Sequence, residues 1–211
     1  MLIANIDMGV LIKLIPLVKD VVLAVAAIIT TCIAVYGVIK WKRELQGKTY
    51  LETSKTLLTA LYGVRNNFEI VRSGWRDVSE FPEEYIKNKH VGSNNREAEA
   101  DALWYLYKNR LSPLTEAMNK LDACLLEAEA LWGPEVREHG RKINGCYNRL
   151  VRSIKELVSM EFRGIDKHDK DTFKLYKDDV VASRESSDEL SKQLSEAIEY
   201  FESITRRHLS R

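Results

Sequence analysis

Cysteine is scarce in this 211-residue chain: Cys32, Cys124 and Cys146 are all it has. So small and odd a number excludes a disulfide framework. With 4 prolines and 10 glycines, the chain has too few turn formers for a loop-rich β-protein or a flexible tail. A charge surplus is missing too. Lys and Arg number 32 against 31 Asp and Glu, a net +1, whereas general nucleic-acid binding needs a basic excess to neutralise phosphates. Histidines are few, and His90, His139, His168 and His208 fall on separate predicted elements. There is no His-Glu-x-x-His, no Cys-x-x-Cys and no paired Glu-x-x-His. Glu135 and His139 share a helix face, but one such pair falls short of the three or four ligands a metal needs. Gly63, Gly74, Gly92 and Gly164 are isolated, so no phosphate loop or nucleophile elbow forms. Cys124 and Cys146 sit beside apolar positions and read as buried structural thiols. No catalytic residue, cofactor, metal or small-molecule substrate is expected.

One long apolar run is present. Val21 to Ile39 reads VVLAVAAIITTCIAVYGVI, nineteen residues without a charge. At 1.5 Å per residue it covers roughly 28 Å, the thickness of a bilayer's hydrocarbon core. Thr30, Thr31 and Gly37 are tolerable there, because hydroxyls bond back to the helix and glycine is common in membrane helices. A buried core helix is the competing reading, and the flank argues against it. Lys40, Trp41, Lys42 and Arg43, followed by Lys48, form an aromatic and basic collar of the kind that sits at headgroup level. Only Lys13 and Lys19 precede the span, so the positive-inside rule places the C-terminal body in the cytoplasm and the N-terminus outside. A cleaved signal peptide is not expected, because the first twelve residues carry Asp7 and no Lys or Arg. Residues 1–20 are apolar at roughly helical spacing. They fit a helix lying in the outer interface, or extra turns of the span with a kink at Pro16.

Residues 40–211 read as an all-α body of about four long helices forming an antiparallel bundle. The first seam is Tyr50, Leu57, Leu61, Val64, Phe68, Val71 and Trp75, in a helix continuing nearly directly from the span. The second runs from about Asn95 to Trp132 with Pro113 inside, and Gly133-Pro134 stops it. The third carries Val136, Ile143, Tyr147, Leu150, Ile154 and Leu157 and closes at Arg163-Gly164. The fourth begins near Asp171 as a cap and carries Phe173, Tyr176, Val180, Leu190, Leu194, Ala197, Phe201 and Ile204. Its middle, Ala182 to Asp188, is polar. The longest connection, Arg76 to Asn94, reads as a mobile loop or a working surface.

Charge alternates along the body. Residues 40–76 carry net +5, 77–135 net −6, 136–164 net +4 and 165–211 net −2. Such helices complement one another when packed side by side, and the first basic set also suits anionic lipid. Trp104, Tyr105 and Tyr107 crowd one turn of the second helix. Either the core stripe is wide there, or at least one ring faces outward as a candidate partner surface.

The run from Lys40 to Arg65 after the span resembles a group of bacterial single-span, membrane-anchored helical proteins. The matching positions are Trp41, Lys42, Arg43, Glu44, Leu45, Gly47, Lys48, Leu57, Leu58, Tyr62 and Arg65. With the span included, the resemblance covers about a quarter of the chain, and it implies membrane anchoring and bacterial origin but no activity. The sequence therefore leads to a non-enzymatic inner-membrane protein whose partners are the bilayer and a protein or another copy of itself. The alternative is a signalling or defence effector that oligomerises or perturbs the membrane, with Thr30, Thr31 and Gly37 serving helix packing.

Overall fold

The computed structural model describes residues 8–89, 95–163, 170–182 and 188–209. These are all-helical, with six helices and no strand among the described residues. In chain order they are α1 (Met8–Val71), α2 (Glu83–Lys89), α3 (Arg96–Trp132), α4 (Glu135–Arg163), α5 (Lys170–Val180) and α6 (Glu189–Leu209), with a 3₁₀ turn at Val78–Glu80. The chain divides into two units, Met1–Thr49 and Tyr50–Arg211.

In the first unit, α1 carries the uncharged stretch Val21 to Ile39, apolar on every side, and its most hydrophobic window is 0 % buried. It is long and apolar enough to cross a membrane. Thr30 and Thr31 donate to the carbonyls of Ala26 and Ala27, both at 2.8 Å. Their hydroxyls are thus satisfied within the helix, as an apolar solvent requires. Pro16 lies inside α1, and the helix already runs at Met8. Residues 1–7 of the apolar tail lie outside the described residues.

The second unit buries one core. Leu57, Leu61, Val64, Phe68 and Val71 of α1 meet Leu106, Leu114, Met118 and Leu121 of α3, Ile143, Leu150 and Ile154 of α4, and Leu194 and Phe201 of α6. Burial of such stripes supplies the main stabilisation, at roughly 1.5–3 kcal/mol per large apolar side chain. Gly133, at φ +95°, ends α3, and its N–H reaches the carbonyl of Glu129 at 2.9 Å. Gly140 lets α4 approach α3 closely, since a Cβ there would lie 2.6 Å from Leu125 Cδ1. Along α3 and α4, Asp122 meets Asn144 and Thr115 meets Tyr147. Between α1 and α6, Tyr62 meets Glu202, and just beyond the two helices Arg72 meets Asp188.

Three expectations from the sequence need correction. Trp75 is not part of the core stripe: α1 ends at Val71, and Trp75 is 78 % exposed. The fourth long helix is two helices, α5 and α6. Asp188 accepts the backbone N–H of Ser191 at 3.1 Å and its hydroxyl at 2.8 Å, starting α6 afresh. Residues 183–187 lie outside the described residues, and Asp171 is inside the first turn of α5 rather than ahead of it. The long connection after Arg76 contains the 3₁₀ turn and α2, while 90–94, with His90, Gly92 and Asn94, lie outside the described residues. Gly164 and His168 also fall outside them, as does the side chain of His208.

Candidate functional site

Two arginines, Arg72 and Arg110, hold the end of α1, and neither was singled out by spacing. Arg72 is 1 % exposed and lies four residues beyond Phe68, on the core stripe. Its guanidinium donates to both carboxylate oxygens of Asp188, at 2.7 and 3.0 Å. It also donates to the carbonyls of Asp178 and Asp179, at 3.0 and 2.7 Å, and to Ser191 Oγ. Burial pushes the Asp188 carboxyl up, but hydrogen bonds from Arg72 and Ser191 outweigh it and hold the group below its usual range. Arg149 grips both oxygens of Asp179, at 2.7 and 3.0 Å, and Ser153 donates to the same carboxylate. This network joins α1, α4, α5 and α6 through charge-assisted hydrogen bonds, which is what makes burying charge tolerable.

Arg110 of α3 orders the rim beyond Val71. Ser73-Gly74 ends the helix, leaving carbonyls without helical donors. Arg110 donates to the carbonyls of Ser73 and Trp75, at 2.9 and 2.6 Å, and to both oxygens of Glu80, at 2.5 and 2.8 Å. That pairing holds the Glu80 carboxyl below its usual range. Asp77 and Glu80 close a capping box around the 3₁₀ turn. The connection expected to be mobile or working therefore begins as a pinned loop that presents Trp75 and Val78 to solvent.

The aromatic cluster divides. Tyr107 is 2 % exposed, and its hydroxyl accepts from Arg76 at 3.2 Å. Trp104 and Tyr105 face outward at 38 and 46 %. Lys40, Trp41, Lys42, Arg43 and Lys48 are all exposed along α1. His139 stacks on Tyr200 with ring centroids 3.3 Å apart, and its Nδ1 lies 3.1 Å from the carbonyl of Glu135. Tyr200 in turn donates to Glu135 Oε2 at 3.4 Å. This places the Glu135 and His139 pair against α6, and no cluster of three metal-ligating side chains exists among the described residues. Cys146 is buried and Cys124 half-buried; burial pushes both thiols up, away from the thiolate that nucleophilic chemistry needs.

A groove of about 780 Å³ lies between α1 and α3. Thr56, Ala60 and Gly63 form much of one wall, Ala117, Ala123 and Cys124 much of the other. Its Thr hydroxyls and the Asn67 amide donate within their own helix, and the Cys124 thiol reaches the carbonyl of Thr56 across the groove. Thr56 donates to Glu52 O at 2.9 Å, Thr59 to Lys55 O at 2.8 Å, and Asn67 to Gly63 O at 2.8 Å. What remains for a visitor is methyl and methylene surface with Lys55, Glu116 and Lys120 at the edge. Sequence reasoning passed over this site because small residues at three and four spacing carry no apolar signal. No family model, curated protein or solved structure matches the chain.

Proposed function

We propose that this protein is a single-span anchor carrying a helical platform that recruits, scaffolds or senses a protein partner at the bacterial inner membrane. The observation that carries the reading is the apolar stretch of α1, 0 % buried and with Thr30 and Thr31 satisfied internally. A surface that apolar and that long needs a cover, and a bilayer matches its length. The exposed collar of Lys40, Trp41, Lys42, Arg43 and Lys48 supports a cytoplasmic body and an outer N-terminus. We read the body as an antiparallel bundle in which α5 and α6 together stand for the fourth helix. Contacts pairing Cys124 with Thr56, Arg110 with Ser73, Asn144 with Asp122 and Tyr62 with Glu202 support that topology. The outward Trp104 and Tyr105, the pinned Trp75 and the α1–α3 groove support a binding rather than a catalytic role.

Membrane fractionation tests the anchor. The full chain is expected to stay in the membrane pellet through alkaline carbonate washing and to leave only with detergent. Release by carbonate alone would sink the reading.

A further inference from the structure

The cations that follow the apolar stretch are set around the helix rather than along one side of it. Lys40, Lys42, Arg43 and Lys48 all lie in the first unit, and all are exposed. An α-helix turns about 100° per residue, so the four project in separate directions with no gap wider than about a third of a turn. Between the first and the last of them the axis rises about 12 Å. Trp41 and Leu45 fall in the widest gap and are 66 and 52 % exposed.

These charges are left to the surroundings. Among the described residues, none of the four takes part in an ion pair. Glu44 is the single acidic residue between Asp20 and Glu52. It lies one turn from both Lys40 and Lys48 and offsets at most one of them. Residues 40–48 therefore carry four cations against one carboxylate, a net +3.

The arrangement selects the partner. A protein reaches one face of a helix and leaves the cations on the other faces unmatched. A ring asks for anions on all sides at one level, with room between them for an indole and a leucine side chain. Headgroups at the end of an apolar stretch offer that setting, and tryptophan favours the same depth. A zwitterionic headgroup brings a cation with each phosphate and leaves the net +3 unanswered, whereas an anionic headgroup balances it. We propose that Lys40, Lys42, Arg43 and Lys48 form a ring that gathers anionic phospholipid, of the phosphatidylglycerol kind, around α1. The proposal rests on the reading of the apolar stretch as a membrane anchor and adds to it a preference among lipids.

The test uses the full chain in vesicles of phosphatidylcholine with about a fifth phosphatidylglycerol, which gives a negative surface. In one set the phosphatidylglycerol carries brominated tails; in the other an equal amount of the phosphatidylcholine does. Bromine quenches tryptophan at close range, and subtracting the signal of Trp41→Phe isolates Trp41. Quenching is expected to show phosphatidylglycerol enriched beside Trp41 by about threefold or more. That enrichment should fall about twofold or more in Lys42→Gln with Arg43→Gln. It should vanish in about 1 M salt, where the Debye length is about 3 Å. Inorganic phosphate added at constant ionic strength should leave it intact. Equal quenching in the two sets would overturn the proposal, as would an enrichment indifferent to both salt and the double substitution. Loss of the enrichment to inorganic phosphate would overturn it in favour of a site for free anions. Each of these outcomes leaves the anchor standing, whereas a Trp41 quenched in neither set would remove the anchor and the ring together.

Discussion

Residues 17–45 and residues 57–71 belong to one α-helix and obey opposite rules. In the first stretch Val21, Val22, Leu23 and Val38 point in different directions, and all are more than half exposed. In the second, Leu57, Leu61, Val64, Phe68 and Val71 form one stripe, and none is more than 2 % exposed. Helix propensity does not separate them; the distribution of apolar residues around the axis does. An all-round apolar surface asks for an apolar solvent, whereas a stripe asks for neighbouring helices.

The largest effect should come from breaking the first rule. Val25→Arg with Ile29→Arg places two charges in the middle of the span. Each costs about 2.5–3.5 kcal/mol at a membrane helix centre. The doubly substituted chain is expected to lose carbonate-resistant membrane association while its body keeps a wild-type unfolding transition. Retention in the pellet would show that something other than a bilayer covers this segment.

Breaking the second rule should do the reverse. Phe68→Ala removes a ring that is 2 % exposed, which costs about 3–5 kcal/mol in a packed core. Chemical denaturation of the solubilised full chain should show that loss, with membrane association untouched. Arg72→Met is expected to cost a similar amount, about 3–5 kcal/mol, because it leaves the Asp188 carboxylate buried without its partner. Joint replacement of Arg72 and Asp188 by apolar residues should recover part of that loss, and a double-mutant cycle measures the coupling.

How far the sequence exposed this structure follows from the same contrast. The span was legible because a water-soluble helix of nineteen residues needs charges on its outer face, and this stretch has none. The cores of α3 and α4 were legible in the main because Leu114, Met118, Leu121 and Leu125, then Ile143, Leu150, Ile154 and Leu157, keep the three and four spacing, while Ala102, Leu106 and Ala117 of α3 and Cys146 and Ser153 of α4 are buried outside that series. Trp75 continues the spacing one turn past Val71, but Ser73-Gly74 intervenes and the helix has already ended, so a polar residue, Arg72, closes the stripe instead. Arg72 and Arg110 look like any surface arginine in sequence; their partners Asp188 and Glu80 lie 116 and 30 residues away. The break between α5 and α6 shows in the sequence only as the polar stretch from Ala182 to Asp188. Asp188 shows its other meaning, since one carboxylate both starts α6 and receives Arg72. The α1–α3 groove was invisible because alanine, glycine and threonine define it by what they leave unfilled.

Replacing Arg110 by lysine is a smaller perturbation, since charge survives while the fork does not. One ammonium cannot serve Glu80 and the carbonyls of Ser73 and Trp75 together. A loss of about 1.5–3 kcal/mol is expected, concentrated in the Ser73–Glu80 loop. Hydrogen exchange should quicken there and remain unchanged along the buried stripe of α1. Uniform quickening would mean that Arg110 supports the whole core rather than its rim.

Acid should produce the smallest effect and separate the two stretches most cleanly. Asp188 and Glu80 are both held below their usual range, the first by Arg72 and Ser191 against its burial, the second by Arg110. Their unfolded counterparts titrate near about 3.9 and 4.3, so below those values the unfolded chain takes up protons that the folded chain resists. The stabilisation these carboxylates provide is therefore complete above about pH 5 and is lost as pH falls through the depressed folded values. Stability of the solubilised chain should be level near neutrality and decline below about pH 4, with a shallower decline in Arg72→Met, where Asp188 has lost its partner. Val21 to Ile39 contains no acidic residue, so membrane retention should not change over the same range. A parallel loss of retention would mean that the apolar stretch owes its cover to the folded body and not to lipid.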